Sequence, residues 1–447
     1  MNEQRDPHVP NVSASRMDRR RFLRLAGVAG AAVSSPGLLA ACQSGSSGGR
    51  LPRAIKIGYV SPETGPLARF GEADAFVIGA IRKYFGQHGV TVAGKRHGVE
   101  IILKDSQSTD QQAASVANEL IVNDRVDLML VSSTPDTTNP VSDACEANRV
   151  PCISTVAPWQ SWFIGRGGKA GQTSFKWTYH FFWGLEDLIS VYTDMWSRVS
   201  TNKVVGALWP NDPDGNAFAD PKVGFPPAIQ PQGYRVVDPG RYRDLATDYS
   251  AQIARYKAGG AEILTGVPLP PDFTTFWKQA RQQGYTPKVA TVAKALLFPS
   301  SVTALGDIAN NLGTEVWWTP SHPYSSSMTG QTSRQLANAY TANIGKQWTQ
   351  PIGFAHALFE VANATLSRAK GLDAASIAAS IASLKLDTIV GPLDWSGGPV
   401  PNVAKTPLVG GQWRQGNFTS VYPFDLVIVS NKDHTNIPSG GSMQPMS

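Results

Sequence analysis

From Ile55 onward, short runs of β-forming residues alternate with stretches whose apolar side chains recur at helical spacing, and this alternation restricts the chain to a parallel-sheet α/β architecture. Ile55-Lys-Ile-Gly-Tyr-Val60 runs into the turn-forming Ser61-Pro-Glu-Thr-Gly-Pro66 and predicts a strand followed by a loop. Ala75, Ile78, Ile81, Arg82 and Phe85 then fall at helical spacing, and Gly86 and Gly89 close that helix. Strands are expected again at 100–104, 127–131 and 151–154, with helices at 111–123 and 139–148 between them. Such units bury both faces of a doubly wound sheet under helices.

Residues 155–186 break the rhythm with Trp159, Trp162, Trp177 and Trp183 among several Phe and Tyr. A second series follows, with strands expected at 204–208, 234–237 and 263–267 and helices at 187–199, 218–229, 249–258 and 273–283. Helical spacing returns at 340–347, 353–369 and 374–384, and 424–429 reads as a terminal strand. A chain of 447 residues exceeds the ~250–300 at which one core stops growing, so two lobes are expected. The tail, 431–447, is rich in Gly, Ser and Pro and is expected to be disordered.

The first 41 residues are an address rather than a folded element. Arg19-Arg20-Arg21-Phe22-Leu23-Arg24 is similar to a twin-arginine export signal, and Leu39-Ala40-Ala41-Cys42 to the lipobox at which bacterial lipoproteins are cut and acylated. The apolar run from Leu25 is short for the ~20 residues a membrane span needs and contains Ser34, Ser35 and Pro36. Cys42 is therefore the expected lipid attachment point, and 42–53 a Gly/Ser-rich tether on the outer face of the cytoplasmic membrane. Six Arg against two Asp and one Glu leave with the leader, so the formal charge falls from +6 to +3. No Lys/Arg run remains after position 53, which argues against nucleic acid. Cys145 and Cys152 lie in an oxidising compartment, either as a disulfide or as two buried thiols.

Enzyme signatures are missing: there is no Gly-x-Ser-x-Gly elbow, no Walker loop, and no Gly-x-Gly-x-x-Gly after the first strand. No His or Cys cluster has metal-ligand spacing, and no cofactor is expected. Asp212 and Asp214 could act as an acid–base pair, but Pro210-Asn-Asp-Pro-Asp-Gly215 equally suits turn chemistry. In an open parallel sheet, ligands bind beyond the carboxyl ends of the strands. The loops there carry hydroxyls, prolines and aromatics with few charges, which suits binding more than catalysis.

At these loops the chain resembles the type I periplasmic binding proteins, in the branched-chain amino-acid or amide-binding branch that serves ABC importers. The matching pieces are Ile55-Lys-Ile-Gly, Thr64-Gly-Pro66, Phe70-Gly71, Lys104-Asp105, Pro140-Val-Ser-Asp143, Pro151-Cys-Ile-Ser154, Gln279-Ala-Arg-Gln-Gln-Gly284 and Asp387-Thr-Ile-Val-Gly-Pro-Leu-Asp-Trp395. The resemblance implies two doubly wound α/β lobes joined by three crossing segments, 54–177 plus 317–394 and 178–316 plus 395–430, closing over a ligand by hinge motion. It implies a monomer that captures a small solute and delivers it to an ABC permease. The family's contacts carry over to Phe70, Ser133, Thr134, Asp136, Ser154, Val156, Ala157, Asp214 and Pro268.

Where amino-acid binders of the family have an acidic residue for the ligand's ammonium, this chain has Ala293 and Lys294. An unpaired ammonium in a desolvated cleft is costly, so an ordinary zwitterionic amino acid fits poorly. Lys294 either pairs with a ligand carboxylate or points to solvent. Trp159, Trp162 and Trp209 sit at cleft loops, where they either stack on a ligand or pack the core. Trp196 and Trp277 are expected in the core, and Trp317-Trp318 at a crossing between lobes. A sensor lipoprotein reporting to a membrane partner is the alternative role, and an exported hydrolase a remote one.

Overall fold

The computed structural model describes residues 52–171, 175–416 and 422–446. The expected leader, Cys42 and most of the tether lie outside the described residues.

Strands β1 (Ile55–Ser61), β4 (Val99–Asp105), β5 (Leu128–Ser132), β6 (Cys152–Thr155), β7 (Thr178–Phe181) and β15 (Val403–Ala404) form the first sheet, in the order β15-β7-β6-β5-β1-β4 and all parallel. Every residue of β5, β6 and β7 is buried, as strands covered by helices on both faces must be. Helix Pro351–Arg368 lies against this sheet and stacks Phe359 on Tyr59, with ring centroids 5.6 Å apart. Two hairpins accompany it: β2 (Val90–Val92) with β3 (Lys95–His97), and β13 (Lys385–Thr388) with β14 (Gly391–Asp394).

The second sheet contains β8 (Val204–Leu208), β9 (Arg235–Val237), β10 (Ile263–Gly266), β11 (Val289–Val292), β12 (Gly313–Val316), β16 (Val409–Gln415) and β17 (Phe424–Ser430). Its order is β17-β16-β12-β11-β10-β8-β9, parallel from β9 to β12, with β16 and β17 added antiparallel. Helix Leu185–Ser197 belongs here, tied by Trp196 Nε1 donating to Thr291 Oγ1 at 2.8 Å and Tyr192 Oη donating to Glu315 Oε2 at 3.0 Å.

Among the described residues the chain passes between the lobes three times: after β7, after β12 and after β15. Aromatic rings fill the first two passages, where Phe182 meets Trp317 at 4.9 Å and Phe354 at 5.1 Å. Lys405, in the third, pairs with Glu186 and Asp187 beside the first, each at 2.7 Å.

The expected lobe boundaries at 177/178 and 394/395 shift. Residues 178–181 pair with β6 and belong to the first sheet, where all four are buried. Residues 395–404 stay with it too: Trp395 packs edge-on against Phe181 at 6.2 Å, and Val403 and Ala404 pair beside His180 and Phe181.

The tail corrects a second expectation, since its described part, 431–446, is folded against the second lobe. Ile437 is fully buried with Val316, Val409 and Ile428. Gly440 N donates to Ile428 O at 2.9 Å, and Met446 N to Lys288 O at 2.8 Å. Gly, Ser and Pro suppressed a periodic signal, while two apolar anchors, Ile437 and Met443, were enough to hold the segment. Ile437→Ala should therefore lower stability to denaturant by roughly 2–5 kcal/mol; a disordered tail would leave it unchanged.

Candidate functional site

In each sheet the strand order reverses, between β1 and β5 in the first and between β8 and β10 in the second. The loops leaving these strand ends face one another across the gap between lobes, where such folds place ligands.

The first loop is shaped by Asp105 at the end of β4. Its Oδ1 accepts from the backbone N–H of Glu63 at 2.9 Å and of Thr64 at 3.2 Å, and its Oδ2 from Thr64 Oγ1 at 2.6 Å. Those bonds set the turn that leads into the short helix Ala68–Gly71. Gly71 allows that helix to lie on the strand end, because a Cβ would sit 2.6 Å from Ser61 Oγ. Phe70 is thereby aimed across the gap, where it meets Phe298 of the second lobe edge-on at 5.0 Å. Arg69 donates to Ser300 Oγ beside it. The lobes are in contact, and the inner cavity they enclose is about 20 Å³, room for about one water.

Phe70, Thr134, Val156, Asp214 and Lys294 all line this cavity, together with Phe182, Trp183, Phe218, Val267, Glu315 and Trp317. Val156 and Lys294 both hold left-handed backbone, with φ of 71° and 66°. A β-branched or long residue in that region costs on the order of 1–3 kcal/mol. An outer chamber of about 800 Å³ is lined by residues next in sequence to those of the cavity, Pro135 and Asp136 after Thr134 and Pro213 before Asp214, and includes Asp110, Asn139, Asn211, Arg243 and Asp244.

Lys294 does not point to solvent, nor is it free for a ligand carboxylate. It is 5% exposed, with Nζ 2.8 Å from Asp212 Oδ2 and 2.9 Å from Asp214 Oδ2. Its backbone N–H donates to Glu315 Oε1 at 2.9 Å. Burial opposes the ammonium, but Asp212, Asp214 and Asp136 outweigh it and hold the Lys294 pKa well above its ordinary value. Burial, with Asp214's like charge added and Lys294 opposing, lifts Asp212 to about 7. Burial likewise lifts Glu315 to about 7, although Lys294 N–H, Thr314 and Tyr192 favour its ionised form. Asp212 also caps helix Pro213–Phe218, accepting from Gly215 N at 2.6 Å. Asp212 is thus committed to Lys294 and to the cap, whereas Asp214 gives Lys294 only its Oδ2.

Other expected contacts lie elsewhere. Ser154 Oγ sits inside the first sheet, donating to Tyr179 O at 3.2 Å and lying 2.8 Å from His180 Nδ1. Ala157 O is 2.7 Å from His180 Nε2. Trp162 stacks on His180 at 4.9 Å, and Trp209 packs in the second lobe against Phe225, with Arg241 over its ring. Trp159 donates to Glu186 at 3.1 Å in a separate groove, outside the cavity. Ser133 is buried, and Pro268 is buried beside Val267, which takes the lining position. Asp136 borders the outer chamber, accepting from Thr134 Oγ1 at 2.8 Å. Cys145 and Cys152 are both free buried thiols, adjacent to one another. Trp183, Glu315 and Trp317 were missed: the first and last belong to the crossings, and Glu315 to a strand interior, so none carries a loop signal.

Lys294→Met should cost about 3–5 kcal/mol of unfolding free energy, because it strands two buried carboxylates. The triple variant Lys294→Met, Asp212→Asn, Asp214→Asn should recover most of that loss, Asn keeping the cap. Equal destabilisation in both, measured by urea unfolding, would contradict the charge-sharing account.

The profile described as "Periplasmic binding protein" matches residues 54–417. Among curated proteins, the Leu/Ile/Val-binding protein homolog 3 of Brucella melitensis is 26% identical over 223 residues, which are 47% of this chain. The chain spans about half, 53%, of that relative's length. The leucine binding protein LivK of Thermotoga maritima superposes with a TM-score of 0.68 at 17% identity, covering 85% of this chain and 99% of that one. A solute binding protein from R. palustris, solved with 4-hydroxybenzoate, superposes at 0.66 and 16% identity, covering 88% and 98%. With two doubly wound lobes, three crossings and a cavity between the sheets, the chain belongs to the type I periplasmic binding proteins.

Proposed function

We propose that the protein is the substrate-binding lipoprotein of an ABC importer, which captures one small solute between its lobes and hands it to a membrane permease. The observation that carries this reading is the cavity at both sheets' strand-order reversals, walled by aromatic rings and floored by a buried charge cluster. A 20 Å³ cavity is too small for such a solute, so uptake requires the lobes to part about the three crossings and close again. The family and its relatives bring an amino-acid-like, amide or small organic-acid solute into range.

Thermal shift over amino acids, amides, organic acids and amines should give at least one stabilising solute, since a ligand bound only to the folded state raises its melting temperature. Failure of every small solute, with a protein partner recovered instead, would overturn the reading. Phe70→Ala should weaken the hit by about tenfold or more, as loss of a buried aromatic contact does. For the anchor, Cys42→Ser should move the protein from the membrane fraction to the soluble one; unchanged partition would refute lipidation at that residue.

A further inference from the structure

We infer that the solute is a cation, an amine or amidine with an apolar body, seated with its positive group against Asp214. This rests on the solute-binding reading and assigns it a solute class other than the acids and amino-acid-like compounds suggested by the relatives.

The inner cavity and outer chamber together are bordered by Asp110, Asp136, Asp214, Asp244 and Glu315, with Asp212 directly behind, against two cations, Lys294 and Arg243. Lys294 is consumed by Asp212 and Asp214. The carboxylate excess remains even with Asp212 and Glu315 protonated. Such a cleft, with low-dielectric walls, concentrates cations and repels anions.

The second observation is independent of that count. Asp214 is 3% exposed and its Oδ2 is bound to Lys294, yet its Oδ1 has no partner among the described residues. A buried carboxylate oxygen without a donor is costly, and the donor it lacks is what an ammonium or amidinium supplies. Glu315 offers no rival seat, because Oε1 accepts from Lys294 N and Oε2 from Tyr192 and Thr314. The aromatic wall contains Trp183 and Trp317, each 2% exposed, and indole faces attract cations. Their N–H groups are also unpartnered, which favours a neutral acceptor elsewhere on the solute. Asp214 lines the inner space and Pro213 before it the outer one, so once the lobes part the charged head can sit at Asp214 while the body extends toward Asp136 and Asp244.

The test is isothermal titration of the purified protein with matched probes: benzylamine, phenethylamine and benzamidine against benzyl alcohol, benzoate and leucine. The expected result is tighter binding of a cationic probe than of its neutral or anionic match by about tenfold or more, weakening with added salt. Asp214→Asn should reduce that binding by about tenfold or more, and Asp244→Asn should reduce it less and mainly at low salt. Binding of benzoate or leucine in preference to the amines would overturn the cation inference while leaving the solute-binding reading standing. Amine binding untouched by Asp214→Asn would overturn the seat. No binding by any of these probes would overturn the cation inference, and the wider solute screen would then decide the parent reading separately.

Discussion

The buried ammonium of Lys294 organises the second lobe's side of the cleft. One cation gathers Asp212 and Asp214 from the loop after β8, while its own N–H holds Glu315 on β12, so three strand ends are fixed to one another at the point where the lobes meet. Without that charge two buried carboxylates would face each other with no cation between them, and the loop after β8 would lose its tie to β11. The left-handed backbone at Lys294 fits this role: the strain is tolerated because the ion pairs and the Glu315 bond determine the conformation together.

The opposite wall is held by a different force. Phe182, Trp317 and Phe354 pack where the chain passes between lobes, and Phe70 reaches across to Phe298. Aromatic contact is shorter-ranged than the attraction of the ion pairs opposite. One wall therefore stays fixed while the other can slide or separate, an arrangement suited to lobes that open and close.

How much of this could be read from the residues follows from which signals are local. The strand and helix series was legible because period-2 and period-3.6 patterns lie within one element, and the loop after a strand is a local neighbour of that strand. That reading put Phe70, Thr134 and Asp214 on loops that line the cavity. The antiparallel β16 was not, since Val409-Gly-Gly-Gln-Trp-Arg-Gln415 has glycines where strand formers are looked for. Ser154 and Ala157 were misplaced because His180, 23 to 26 residues further on, claims their polar groups inside the first sheet. Lys294 could be placed at the cleft but not paired, because its partners are about 80 residues earlier in the chain and only the folded sheet brings β8 and β11 near.

The folded tail has a consequence beyond the stability of its anchors. β17 ends the second sheet, and a terminal strand offers unpaired backbone groups to any other chain that can align with it. Gly440 N and Ser439 Oγ both bond to Ile428 O, so the protein's own last residues occupy part of that strand's free side. The segment serves as a built-in guard against edge-to-edge aggregation.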